Sequence, residues 1–318
     1  MRAAGPLPDT MGGMSDRLTL MTVHAHPDDE TITTGGIMAK YAAESVRVVC
    51  VTSNKGENGK IFVPELDTPE NHARLAEIRE IELARALAHL GAIEHRWLGY
   101  RDSGMMGDPE NTDPRAFWQA DMDEAAGRLV RHVREDRPHV MVSYNDFGGY
   151  GHPDHIRAAL VAKAAFARAG DPIWYPEQLE GRDALEPWRP LKFYESVFDI
   201  ERRDELAALL KERGLDSWWA PHPDETDEQR AEREQFMERM GAATGPTTTR
   251  IDVRAYLSAK HAALREHVTQ MAADNPFVAL GPQEWARFAP SEDFTLRESW
   301  VVPTQIPETD LFAGVRGR

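Results

Sequence analysis

Two kinds of hydrophobic pattern alternate along the chain up to about residue 170. Apolar and β-branched runs at 18–24, 46–52 and 140–144 have the length of buried strands and are bounded by polar residues. Residues 71–90 and 156–169 instead repeat apolar side chains at helical spacing. The other elements predicted in this region are a helix at 35–43, a strand around Trp97 and Leu98, a loop at 101–116 and a helix through Leu129 and Val133. Alternating strands and helices predict an α/β protein with a mostly parallel sheet covered on both faces.

The pattern weakens after Gly170. A run at 193–198 predicts one further strand, and two highly charged helices are expected at 201–213 and 224–240. A last helix is predicted at 254–271. The side chains expected on its buried face are Leu257, Leu264 and Val268. We therefore expect a mainly helical elaboration in this part of the chain.

These changes in pattern divide the chain into three predicted parts. Residues 1–16 are rich in Gly and Pro and are expected to be flexible. Residues 17–200 would form the catalytic domain, and residues 201–318 the C-terminal elaboration.

Composition narrows the classes of function. The formal net charge of −16 and the isoelectric point near 5.2 argue against a nucleic-acid binder, which needs clustered Lys and Arg. The single cysteine, Cys50, lies in an apolar run, so we expect it to pack in the core of a protein from a reducing compartment. Because we find neither a long apolar span nor the pattern of a signal peptide, we expect a cytoplasmic protein that does not bind membranes.

Metal-binding residue types follow two of the predicted strands. The segment HAHPDDE occupies 24–30, and HPDH occupies 152–155. Ligands of parallel sheets bind beyond the carboxyl ends of strands, so both segments should face one cleft. His26, Asp29 and His155 would give catalytic zinc three ligands and leave a position open for water. Fe²⁺ is an alternative metal, and a hydrogen-bonded polar cluster is the alternative without one.

A third copy of the tripeptide HPD provides an internal comparison. It begins at His222 and follows a proline-containing loop rather than an apolar strand. We therefore interpret it as a turn into the next helix, with Asp224 as the cap.

The neighbouring side chains match the requirements of amide hydrolysis. Asp28 would be the base, His152 the acid for the leaving nitrogen, Asp154 the residue that orients His152, and Tyr150 the donor to the oxyanion. The alternatives are that Asp28 and Asp154 only cap helices and that Tyr150 only packs. His24 is expected to support the ligands rather than to bind metal. The chain lacks the sequence motifs of serine hydrolases, P-loop proteins and dinucleotide-binding proteins.

Several segments resemble the LmbE/PIG-L family of zinc-dependent de-N-acetylases and amidases. They are AHPDDE at 25–30, RDSGM at 101–105, RPHVMVSYN at 137–145 and GGYGHPDH at 148–155. The resemblance implies a Rossmann-like sheet with a smaller C-terminal α/β elaboration that closes over the active site. It also implies the same zinc ligands and catalytic residues. Arg79 and Asp102 match positions that hold sugar and inositol hydroxyls, although a structural ion pair is the alternative for these two residues.

The same resemblance implies the substrate. It is strongest to members that cleave the amide of mycothiol S-conjugates, with deacetylation of N-acetylglucosaminyl-inositol or another amino sugar as the alternative. Thr33 replaces a lysine of those amidases, and the loop at 54–59 also departs from their pattern, so specificity is expected to differ. A metal-binding protein without catalysis and a two-metal phosphoesterase are the remaining hypotheses. The expected partner is a small amide substrate, and formation of a homo-oligomer is left open.

Overall fold

The computed structural model describes residues 17–198, 203–215, 225–303 and 305–317. The segment predicted to be flexible, 1–16, lies outside these residues, and so does the predicted cap Asp224. Within the described ranges, no helix has both the length and the apolar character needed to cross a membrane.

One mixed sheet of seven strands organises the protein. Its order is β3-β2-β1-β4-β5-β7-β6, and neighbouring strands are parallel from β3 through to β5. The strands are β1 (Thr19–His24), β2 (Arg47–Thr52), β3 (Ile93–Trp97), β4 (Val140–Ser143), β5 (Lys192–Val197), β6 (Thr249–Asp252) and β7 (Ser291–Ser299). The order reverses beside β1, so a crevice opens where the chain leaves β1 and β4.

Helices cover both faces of this sheet, as the sequence predicts. They are α1 (Asp29–Ala43), α2 (Pro69–Ala73), α3 (Leu75–Leu90), α4 (Met122–Asp136), α5 (Pro153–Arg168), α6 (Arg203–Arg213), α7 (Asp227–Ala243), α8 (Leu257–Leu264), α9 (Pro276–Ala279) and α10 (Pro282–Phe288). Side chains of β1 alternate between the two cores that result. Leu20 packs with α1 and α3, whereas Met21 packs with α4 and α5.

Several predicted boundaries differ from the structure. Helix α1 begins at Asp29, six residues before the predicted start, and the predicted helix at 71–90 breaks at Arg74. The predicted helix at 254–271 is wrong beyond Leu264. Val268 lies past this end and is 42% exposed, so it is not part of a buried helical face.

The two antiparallel strands β6 and β7 were absent from the sequence prediction. Strand β7 pairs with β5, and β6 pairs with β7, so the C-terminal part extends the same sheet. Phe294 and Ile251 are fully buried from these strands. This part of the chain is therefore an α/β elaboration rather than a helical layer alone.

Cys50 lies in β2 and is fully buried. Burial raises the pKa of its thiol well above the ordinary value. The expected role of this residue in core packing agrees with its position among apolar side chains.

Candidate active site

The turn from β1 into α1 sends neighbouring carboxylates in different directions. Asp28 has a φ of 110°, a conformation that residues with side chains rarely adopt. Asp29 Oδ2 accepts the backbone N–H of His26 at 2.9 Å. The Asp28 carboxylate instead lies 3.4 Å from Nη2 of Arg79. Asp28 precedes the first helical residue but makes no side-chain cap hydrogen bond, so capping does not account for it.

The turn from β4 into α5 places two histidines at the start of a helix. Gly148 has a φ of 65°, and a Cβ there would lie 2.5 Å from the backbone nitrogen of Ile156. Only glycine fits this approach. His152 caps α5 because its Nδ1 accepts the N–H of Asp154 at 3.1 Å. The alternative in which Asp154 is the cap is therefore wrong.

The three predicted ligands meet at one carboxylate oxygen. Asp29 Oδ2 lies 3.2 Å from Nε2 of His155 and 3.5 Å from Nδ1 of His26. His152 adjoins them, and one ring nitrogen from each of His26, His152 and His155 lies within 4.8 Å of the others. All four residues are at most 7% exposed. This set of N and O donors could hold a metal ion.

Asp154 contacts a different histidine from the one expected. Its Oδ2 lies 3.2 Å from Nε2 of His26, and its carboxylate also accepts hydrogen bonds from Asn54 and from the N–H of Ser103. The expectation that the Asp154 carboxylate orients His152 is therefore corrected. It supports His26, the arrangement in which a carboxylate commonly fixes a metal-binding imidazole.

His155 is held from both sides. Its Nδ1–H donates to the carbonyl oxygen of Gly148 at 3.1 Å, which leaves Nε2 to face Asp29. The ring of Tyr144 stacks on that of His155, with centroids 4.5 Å apart and planes at 27°. The hydroxyl of Tyr150 lies 3.4 Å from Nε2 of His155. The predicted oxyanion donor therefore reaches the cluster of ligands.

Burial and charge separate the pKa values of the acids and bases. Burial raises the pKa of Asp28 to about 6, and the guanidinium of Arg79 opposes this rise. Burial and the imidazoles of His26 and His155 lower the pKa of His152 to about 2. At neutral pH, Asp28 is thus mostly ionised and His152 is neutral. His152 can therefore act as an acid only after it has taken up a proton.

Arg79 and Asp102 both contact the loop at 54–59. Arg79 donates to the carbonyl oxygens of Gly56 at 2.9 Å and of Pro27 at 2.5 Å. Asp102 accepts the N–H of Asn58 at 3.0 Å. Both side chains are at most 4% exposed and face the same cavity as the histidines.

This cavity has a volume of about 1340 Å³ and is lined at one end by the cluster of His26, Asp29 and His155. Apolar side chains line another part of it. They include Ile32, Phe62, Phe236, Met240, Met271 and Phe277. The last four come from the C-terminal part, so both parts of the chain build the cavity.

Similarity to known proteins is consistent along the whole chain. Residues 21–166 match the family model described as PIG-L, GlcNAc-PI de-N-acetylase. A curated protein of Catenulispora acidiphila, named 1D-myo-inositol 2-acetamido-2-deoxy-alpha-D-glucopyranoside deacetylase 1, is 41% identical over 98% of this chain and 93% of its own length. This chain belongs to the PIG-L family. It is therefore a metal-dependent amidohydrolase that acts on C–N bonds other than peptide bonds.

Other relatives agree with the PIG-L assignment. The enzyme of the same name from Thermobispora bispora is 40% identical over 95% of this chain and its entire length. The solved N,N'-diacetylchitobiose deacetylase from Pyrococcus horikoshii is 18% identical, with a TM-score of 0.58 over 89% of this chain and 84% of that one. At this identity the structural match supports the fold alone.

The structure also places residues in the PIG-L site that sequence reasoning missed. The sequence pattern places Tyr144 at the end of an apolar strand, and it does not single out Asn54 or Ser103 for chemistry. All three lie just beyond strands or in loops at the carboxyl edge of the sheet. That position was the signal available in the sequence, but their partners depend on contacts between distant segments.

Proposed function

We propose that this chain is a zinc-dependent hydrolase that removes the acyl group from the amino nitrogen of a glucosaminyl-inositol. The convergence of His26 and His155 on Asp29 Oδ2, with Asp28 beside them, is the observation that carries the proposal. The curated relatives support the substrate class, since their names describe deacetylation of a 2-acetamido-2-deoxyglucoside of myo-inositol.

The donor set fits zinc. His26, Asp29 and His155 would hold the ion, because each imidazole turns one nitrogen towards Asp29 and has its other nitrogen engaged by Asp154 or by Gly148 O. When bound, zinc would lower the pKa of a water and polarise the amide carbonyl. Fe²⁺ would suit the same donors, so the metal in the cell depends on availability.

Asp28 is the proposed base. Its ionised carboxylate lies next to the ligand Asp29 in sequence but points towards Arg79, so it stays available for a proton. His152 has its Nδ1 engaged by the Asp154 N–H, which leaves Nε2 as the atom that exchanges a proton with the leaving nitrogen. The hydroxyl of Tyr150 donates a hydrogen bond to the developing oxyanion.

Arg79 and Asp102 are the proposed contacts to the sugar and inositol hydroxyls. Arg79 Nε is buried and has no hydrogen-bond partner among the described residues. Arg79 also lines the cavity, which supports a contact between its side chain and a substrate hydroxyl. Asp102 offers a carboxylate close to the metal ligands, with Oδ1 3.7 Å from His26 Nε2.

A second candidate is hydrolysis of a mycothiol S-conjugate, in which the departing acyl group is larger and carries an apolar substituent. The cavity favours it, because about 1340 Å³ exceeds the roughly 300–1,000 Å³ of typical small-molecule pockets. Phe236 and Phe277 are among the side chains of its apolar part. An acetyl group would leave this part of the cavity unused.

The test compares wild type with His155→Ala on N-acetylglucosaminyl-inositol and on a mycothiol bimane conjugate, with metal content measured on the same samples. We expect about one zinc per wild-type chain, and loss of both zinc and amine release in the variant. Faster cleavage of the acetylated compound would support the deacetylase, and faster cleavage of the conjugate would support the amidase. Zinc binding without cleavage of either would show that the proposed substrates are wrong. A metal content near two would instead favour a phosphoesterase.

We further propose that the protein acts in the cytoplasm on this small molecule. Its single cysteine is buried and unpaired, which supports a reducing compartment.

A further inference from the structure

A short segment of the C-terminal part reaches the turn that carries Asp28. His267 follows α8 and is fully buried against Glu30 in the first turn of α1. The two side chains meet at 3.0 Å between His267 Nε2 and Glu30 Oε1. Both are 0% exposed, and they are separated by 237 positions in the sequence.

Glu30 links this histidine to the backbone of Asp28. Its Oε2 accepts the Asp28 N–H at 2.9 Å, while Oε1 accepts from His267 and from the hydroxyl of Thr31. The carboxylate therefore accepts hydrogen bonds from three residues. Of these three donors, only His267 lies outside the turn itself.

The backbone that Glu30 holds is strained. Asp28 has a φ of 110°, which persists in proteins only where surrounding contacts determine it. This conformation turns the Asp28 carboxylate towards Arg79 and away from Asp29. Loosening the Asp28 N–H would let the peptide relax and would displace the carboxylate from the cavity.

Neighbouring contacts fix the segment that carries His267. The N–H and the hydroxyl of Thr269 both donate to Glu82 at 2.8 Å. The side chain of Gln270 donates to the carbonyl oxygen of Lys60 at 3.0 Å. These contacts anchor the segment to α3 and to the loop after β2, so His267 is presented to Glu30 from a rigid support.

We propose that His267 is a positioning residue. It acts through Glu30 to hold the strained backbone of Asp28, and in this way it orients the Asp28 carboxylate. The assignment rests on the proposed function in one respect, namely that Asp28 is the base. The assignment goes beyond that function because the C-terminal part then orients the proposed base as well as lining the cavity.

The test uses zinc-loaded His267→Leu and His267→Gln. Leucine removes the donor, whereas the amide nitrogen of glutamine can occupy the place of Nε2. His261→Leu is the matched control, because His261 lies on α8, is half-buried and donates through Nε2 to the carbonyl oxygen of Val278. For His267→Leu we expect kcat to fall about 10- to 100-fold with little change in KM or zinc content. His267→Gln and His261→Leu should each stay within about threefold of wild type.

A second readout needs no substrate. Hydrogen exchange of the peptide at 25–31, followed by mass spectrometry, should be about tenfold faster in His267→Leu than in wild type, His267→Gln or His261→Leu. If wild type cleaves neither amide, the proposed function fails while this measurement still decides the role of His267.

Three outcomes would overturn the proposal. The first is a His267→Leu enzyme with wild-type kcat. The second is a glutamine variant, or the His261→Leu control, that loses as much activity as the leucine variant. The third is unchanged exchange at 25–31. The second outcome would show that the effect comes from general destabilisation of the C-terminal part.

Discussion

Asp28 and Asp29 show how adjacent, chemically identical side chains acquire different roles. Hydrogen bonding to His26 N–H and proximity to His155 commit the carboxylate of Asp29 to the ligand cluster. Burial raises the pKa of Asp28 to about 6, so that carboxylate can accept a proton near neutral pH. The positive φ of Asp28 is what separates the two directions.

Replacing Asp28 by asparagine should remove the base and keep the site. Asparagine tolerates positive φ better than most residues, so the turn should form. We expect kcat to fall by about 10²- to 10⁴-fold, while zinc content and thermal stability stay close to wild type. Steady-state kinetics with metal analysis would check this.

His155→Ala is the comparison for that experiment, because it should lose metal and activity together. If Asp28→Asn retained wild-type kcat, the proton would have to go to another group, and His152 would be the first alternative.

At the residue scale, the sequence predicts which side chains lie together in the site. It predicts less well which of them contact each other directly. Because His26 and His155 both follow predicted strands, the sequence predicts that they lie close together. The partner of Asp154 was not predictable, because it depends on how α5 lies against the loops that carry Asn54 and Ser103. Those contacts join positions up to 100 apart in the sequence.

At the scale of elements, strands buried on both faces were easy to recognise and the outer strands were not. β1 is buried at every position and reads as a continuous apolar run. β7 has the sequence SEDFTLRES, which contains the buried Phe294. Its charged residues obscure the hydrophobic pattern that would predict a buried strand. Its pairing with β5 depends on contacts across about a hundred residues, which no local pattern contains.

A buried arginine from α4 contacts the turn that follows α5. Arg134 is 1% exposed and donates to the carbonyl oxygens of Ala169, Trp174 and Tyr175 at 2.8–3.1 Å. A side chain from another helix thus supplies hydrogen-bond donors to three carbonyl groups of this turn.

Arg134→Met should therefore destabilise the protein by about 2–4 kcal/mol, because it removes several hydrogen bonds from a buried charged donor and takes away the donor to the carbonyl oxygen of Trp174. The melting temperature should fall by roughly 5–10 °C. Arg131→Met is the matched control on the same helix. Arg131 is exposed and pairs with Glu135 at 2.8 Å, so its loss should cost less than about 0.5 kcal/mol. Equal melting temperatures for the two variants would refute this view of Arg134.

At the scale of the whole molecule, the cluster of His26, Asp29 and His155 and much of the apolar lining of the cavity come from different parts of the chain. The family match ends at residue 166, before Phe236, Met240, Met271 and Phe277. The ligand cluster belongs to the matched region, whereas much of the apolar lining does not. Differences in substrate within the family can therefore arise in the C-terminal part without disturbing the metal ligands.

Removing the metal should lower the stability of the folded chain as a whole. Since zinc would bind the folded site and not the unfolded chain, saturation at about 100 times Kd should add about 2.7 kcal/mol. Chelation should lower the melting temperature by roughly 5–10 °C, and added zinc should restore it. Scanning fluorimetry across a zinc titration would measure this. The same zinc-dependent shift in His155→Ala would mean that the ion binds elsewhere.

The burial of Cys50 makes the protein inert towards thiol chemistry. Its sulfur lies in the core, and its raised pKa leaves almost no thiolate at neutral pH. Thiol-reactive dyes should therefore leave the folded wild-type protein unlabelled. The same property leaves the protein open to site-specific labelling, because a cysteine introduced at the 80% exposed Ile173 would be the only reactive one.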